Sequence, residues 1–202
     1  MKQLAPLALV LLLGGCIRFG AEAPPSLLTL TSDASIAVGE TASSATAKSI
    51  SVAALNVPQE LVVARVPVQS STTSIAYLKD AHWVEPPSRL FARLLSDTVS
   101  VRTGRVVLSL RQSLSDPGAR LGGELRTFGI DATTNEAVVT YDATLVRDRP
   151  AEASGARAPL TFEKRRFEAR VPVAAIDAAS AGTALNRAAN QVAGQVADWV
   201  GR

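Results

Sequence analysis

Residues 83–104 read WVEPPSRLFARLLSDTVSVRTG. Pro86 and Pro87 suit the first turn of a helix, where a backbone N–H has no intrahelical acceptor and its loss costs little. Leu90, Phe91, Leu94, Leu95 and Val99 then fall on one face at helical spacing. Gly104 closes the segment, since glycine takes the left-handed backbone of a helix end without strain. The pattern predicts a helix over about residues 87–101 with one apolar stripe. Such a stripe has to be laid on a second layer.

The flanking sequence supplies that layer as strands. Downstream, Arg105 to Leu110 is short and apolar, and a turn at Asp116-Pro117-Gly118 follows. Three longer strands are expected over residues 121–131, 136–147 and 160–173. The first two are joined at Ala132-Thr133-Thr134-Asn135, a length suited to a hairpin. Val139, Tyr141, Ala143 and Leu145 alternate with mostly polar neighbours, as in a half-buried antiparallel strand. Phe167, Ala169, Val171 and Val173 alternate likewise. The connection over residues 148–159 reads as a flexible loop.

Upstream, short strands are expected at Leu27 to Leu30, Ile50 to Leu55, Leu61 to Val68 and Ser74 to Lys79. A turn separates the middle pair at Asn56 to Gln59, and Pro67 points the third toward a sheet edge. Thr31 to Lys48, rich in Ser, Thr, Ala and Gly without a period, reads as a mobile loop. At the other terminus Leu185, Ala189, Val192, Val196 and Trp199 form one narrow stripe, predicting a helix over about residues 179–200. The stripe is too short for coiled-coil pairing and reads as a helix laid on a sheet. The order strands, helix, strands, helix gives an α+β fold, a largely antiparallel sheet packed against two main helices.

The N-terminus sets the compartment. Lys2 precedes a short apolar run, Leu4 to Leu13, followed by Gly14, Gly15 and Cys16. Ten apolar residues are too few to span a bilayer, which takes about 20, and the pattern is that of a secretory signal. Leu13-Gly14-Gly15-Cys16 closely resembles the bacterial lipobox, with cleavage just before the cysteine. That resemblance implies a diacylglycerol thioether and an acylated amine, palmitate or a similar chain, on Cys16. Two or more acyl chains anchor a protein stably where one does not. Residue 17 is Ile, not the Asp that retains Gram-negative lipoproteins in the inner membrane, which favours the outer membrane. The expected organisation is a signal peptide over 1–15, a lipidated tether over 16–26 stiffened by Pro24-Pro25, and one domain over 27–202.

Composition narrows function by exclusion. The 202 residues are 47% hydrophobic, too apolar for a disordered chain. Net charge is +3, and the basic residues are scattered apart from Lys164-Arg165-Arg166, which reads as part of a solvated strand. A nucleic-acid partner is therefore not expected. Cys16 is the only cysteine and His82 the only histidine, so no His/Cys metal set exists. No glycine-rich phosphate loop or nucleophile elbow occurs. No catalytic residue and no cofactor is expected, and His82 reads as a packing or surface residue at the helix entrance. Trp83 and Trp199, each at a helix boundary, read as core with the indole N–H bonded to a partner.

Taken together, the lipobox, the Leu27–Leu30 strand, the segment Val62 to Val68 and Tyr77 resemble one family. So do the W-x-E-P-P-x-R-L-F-x-R-L-L run of residues 83–95, Phe128, Asp131 and the Ala-rich C-terminal helix. The chain is similar to the ABC-type transport auxiliary lipoproteins, the group that includes paraquat-inducible protein C. The resemblance spans about residues 27–200. It implies a non-enzymatic component of an intermembrane lipid transport system with an ABC permease and a mammalian-cell-entry (MCE) domain protein. The lipoprotein would sit on the periplasmic side of the outer membrane, dock the MCE protein and form a homo-oligomer. Cys16 is the one functional residue carried over. Two alternatives stay open: a periplasmic carrier that itself binds lipid, and an envelope-assembly lipoprotein.

Overall fold

The computed structural model describes residues 26–109, 111–114, 118–147 and 160–201. The expected turn at 116–118 and loop at 148–159 lie outside them, wholly or in most part, as do the signal peptide and nearly all of the tether. Seven strands and two helices follow in the order β1 (Ser49–Val52), β2 (Arg65–Ser71), β3 (Ser74–His82), α1 (Pro87–Thr103), β4 (Val106–Leu108), β5 (Ala119–Asp131), β6 (Glu136–Val146), β7 (Phe162–Pro172) and α2 (Ala178–Val200). The architecture is α+β, two helices on one face of a single seven-stranded sheet.

The sheet is mixed. Its long ladders are antiparallel: β5 pairs with β6 from Arg120↔Val146 to Asp131↔Glu136, and β6 with β7 from Glu136↔Pro172 to Val146↔Phe162. The other side of β5 is divided between two short parallel partners. Its first half pairs with β1 (Ile50↔Ala119) and its last residues with β2 (Val68↔Ile130). β4 lies beyond β1 and β3 beyond β2. The β5–β6 loop is the expected hairpin, with Asn135 at φ +54° and Asp131 Oδ1 accepting from the Thr133 N–H at 2.9 Å.

Pro67 departs from the sequence reading. β2 is not an edge strand, since β3 and β5 flank it on either side. A proline fits there because the β2–β3 register shifts between Arg65 and Pro67, so the missing N–H falls at an irregularity rather than in a ladder. Gly129 completes the fit, since a Cβ on it would stand 2.5 Å from the Pro67 carbonyl oxygen. The expected strand at 61–68 also starts later than its apolar run, because Gln59–Leu61 forms a 3-10 turn. Leu27 to Leu30 makes only an isolated parallel bridge, Leu28 to Trp83, instead of a strand.

α1 starts with Pro87 behind Pro86 and ends at Gly104, φ +67°, as its sequence requires. Phe91 meets Tyr141 edge-on with ring centroids at 5.5 Å, which seats α1 over β6, and Phe128 of β5 lies in the same cluster. α2 is capped by Asp177, whose carboxylate accepts from the Ser180 N–H at 2.8 Å. Its predicted stripe is buried throughout, widened by Ala181, Ala184, Ala188, Ala193 and Ala197. Such small residues let the helix lie close on β6 and β7. Trp199 closes its far end against Phe167, ring centroids 5.6 Å apart.

Candidate docking surfaces

Two features of the domain face outward in an ordered way. The first is the strap by which the N-terminal segment joins it. Leu28 N–H donates to the His82 carbonyl at 2.7 Å, and Val84 N–H donates to the Leu28 carbonyl at 2.9 Å. The Leu28 side chain fills the space over Gly182, where a Cβ would come within 2.8 Å of it. Thr31 and Asp33 N–H groups donate to the side-chain carbonyls of Asn186 and Asn190, each at 2.8 Å. Asn190 Nδ2 returns a bond to the Thr31 carbonyl at 2.9 Å. The start of the expected mobile loop is thus fastened to α2. The reason is two asparagines one turn apart, whose amides satisfy an extended backbone. Nothing in the loop's own composition announces them.

The second feature is the sheet face that no helix covers. Even-numbered residues of β6 and β7 project there. Arg166 grips Asp142 with two bonds, 2.6 and 2.7 Å, and Arg126 approaches the same carboxylate at 3.5 Å. Arg170 joins Glu168 at 2.8 Å and Glu136 at 3.3 Å, while Thr140 donates to Glu168 at 2.9 Å. The Arg166 hydrogen bonds hold the Asp142 carboxyl below the usual carboxylate range, and those from Thr133 do the same for Asp131. Burial works against Glu168, but Arg170 and Thr140 outweigh it and its pKa also falls. Carboxylates fixed in this way stay ionised and make poor proton donors near neutrality. The face is a rigid pattern of alternating charge. Beside it a cavity of about 140 Å³ is lined by Leu61, Pro67, Val138, Arg126, Glu168 and Arg170 among others.

Comparison with known proteins adds the family. Residues 29–197 match the model of the ABC-type transport auxiliary lipoprotein component. The chain belongs to that family. A crystal structure of protein XCC0632 from Xanthomonas campestris, assigned to family DUF330, superposes with a TM-score of 0.66 at 16% identity, covering 86% of this chain and 93% of that one. A second crystal structure, of an uncharacterised protein, gives 0.62 at 16% identity over 76% and 92% of the two chains. At that identity the likeness is one of fold. A PelC dodecamer from Paraburkholderia phytofirmans aligns at a TM-score of only 0.36, which establishes no shared fold. No curated protein sequence matches the chain significantly.

Within this auxiliary lipoprotein the residues singled out from sequence are scattered. Cys16 lies outside the described residues. His82 ends β3 half-buried, its Nδ1 enclosed without a hydrogen-bond partner. Trp83 is core, edge-on to Phe128 at 5.5 Å, but its indole N–H has no partner, contrary to expectation. Aromatic contact with Phe128 and burial of the large ring outweigh one unmade bond. Lys164, Arg165 and Arg166 stand on β7, as a solvated strand requires. The Asp142–Arg166 and Glu168–Arg170 pairs went unread, though the alternation that separates the two faces of β6 and β7 carries the signal. Among the described residues no group of His, Cys, Asp or Glu could hold a metal ion, and no helix is long and apolar enough to cross a membrane.

Proposed function

We propose that this auxiliary lipoprotein is the docking component of an MCE-type ABC system for intermembrane lipid transport. Acyl chains on Cys16 anchor it in the outer membrane, and its domain faces the periplasm. The observation that carries the reading is the family match over residues 29–197, set behind a Leu-Gly-Gly-Cys cleavage motif and a short tether. Its partners are the MCE-domain protein, the associated permease and further copies of itself, and its role is non-enzymatic.

The shape of the domain favours docking over carriage of lipid. Pockets that enclose small molecules run to about 300 Å³ and more, and the cavity beside the charged face holds about 140 Å³. A wider, open depression of about 580 Å³ beside α2 has Asp33, Arg102, Gln191, Gln195 and Asp198 in its lining, so charged and amide groups interrupt its apolar surface. The first is too small to enclose an acyl chain, and the second is open and lined in part by charged and amide groups. The carrier reading would be favoured instead by lipid in an organic extract of the purified protein.

Cys16→Ala tests the anchored reading. The variant is expected to leave the membrane fraction and to fail in restoring the envelope barrier to cells lacking the protein. A soluble variant that restores the barrier fully would contradict tethered docking.

A further inference from the structure

Large aliphatic side chains gather on the outside of the domain where the N-terminal segment enters. Three backbones run side by side there: Leu28 is bridged to Trp83, and the Trp83 N–H donates to the Ala64 carbonyl at 3.0 Å. Leu28, Trp83 and Ala64 turn inward and pack on the core. Each of the three has an exposed aliphatic neighbour in the chain. Those neighbours are Leu27, Val84 and Val63, with relative exposures of 52%, 51% and 40%, and Val62 beside them is 48% exposed. The other exposed aliphatic and aromatic residues, Val38, Val101 and Phe162 among them, lie on separate elements. The carboxylate next in line, Glu85, is paired with Arg93. Arg65, the residue after Ala64, lies over the Tyr77 ring at 4.9 Å.

We propose that this patch is a lipid-contacting surface: Leu27, Val63 and Val84 seat in the interface of the membrane that holds Cys16. The proposal rests on the lipid-anchored reading and adds an orientation to it. Leu27 is itself one of the patch residues, and the chain that leads back from it reaches Cys16 within eleven residues. That span extends to about 36 Å at most. The anchor therefore keeps this end of the domain near the bilayer at high effective concentration, and a small apolar surface suffices to dock it. Aliphatic side chains sink to the headgroup–acyl boundary while the charged sheet face stays in water.

The single cysteine makes the test simple, because an acylated Cys16 has no thiol. Full-length Val84→Cys and Val63→Cys, with Val38→Cys as the exposed control, are labelled with nitrobenzoxadiazole. They are reconstituted in phosphatidylethanolamine–phosphatidylglycerol vesicles carrying doxyl-labelled lipid. Probes at positions 84 and 63 are expected to shift to the blue and to be quenched at least twofold more than the probe at 38. Equal quenching at all three positions in protein that floats with the vesicles overturns the proposal. A blue shift without doxyl quenching also overturns it, since protein and not lipid then covers the patch. Protein that fails to float and takes two dyes per chain overturns the Cys16 anchor instead.

Discussion

Asp142 illustrates what single residues contribute to the open sheet face. Its carboxyl is depressed chiefly by the two Arg166 bonds. A group whose pKa is lower in the folded chain stabilises the fold above its unfolded value and loses that contribution as pH falls through the folded value. Asp142→Asn should therefore cost about 0.2–1 kcal/mol at pH 7, the range for solvent-exposed pairs, and nothing once the wild-type carboxyl is protonated. Urea unfolding of both proteins at pH 7 and in acid checks this, and an undiminished difference in acid would show that the pair does not act through charge. Trp83 acts through volume. It is 2% exposed and edge-on to Phe128, so Trp83→Ala should cost about 3–5 kcal/mol. A loss under 1 kcal/mol in the same assay would contradict its core role.

At the scale of elements, both helices were legible because their punctuation is local. Pro86, Pro87 and Gly104 bound α1, and one stripe runs the length of α2. The strap was not legible, since its partners lie far along the chain: Leu28 rests on Gly182, and Thr31 on Asn186 and Asn190. Gly182→Val puts branched carbon where the Leu28 side chain now sits. It should release the strap while leaving the sheet intact, seen as faster amide exchange at Leu28, Thr31 and Asp33 and unchanged protection in β5 and β6. Unchanged protection of the strap would mean that the asparagines alone hold it.

For the whole molecule, alternation in β6 and β7 revealed the antiparallel half of the sheet, but nothing local reveals parallel partners. That β1 and β2 share one side of β5 depends on contacts across 60 residues or more, Val68 with Ile130 among them. The same limit hid Pro67 in an interior strand. The charged sheet face is likewise a product of assembly: charges distant in sequence meet across β5, β6 and β7. The expected lipidation site, Cys16, is the reverse case: it rests on four residues of sequence alone and lies outside the described residues. A tethered domain that docks a transport complex is the role proposed for the molecule. In-cell crosslinking of the full-length protein, purification from membranes and mass spectrometry of the captured partners test that claim most directly. An MCE-domain protein or its permease is the expected capture. Recovery of outer-membrane assembly factors alone, or of the protein with itself alone, would contradict it.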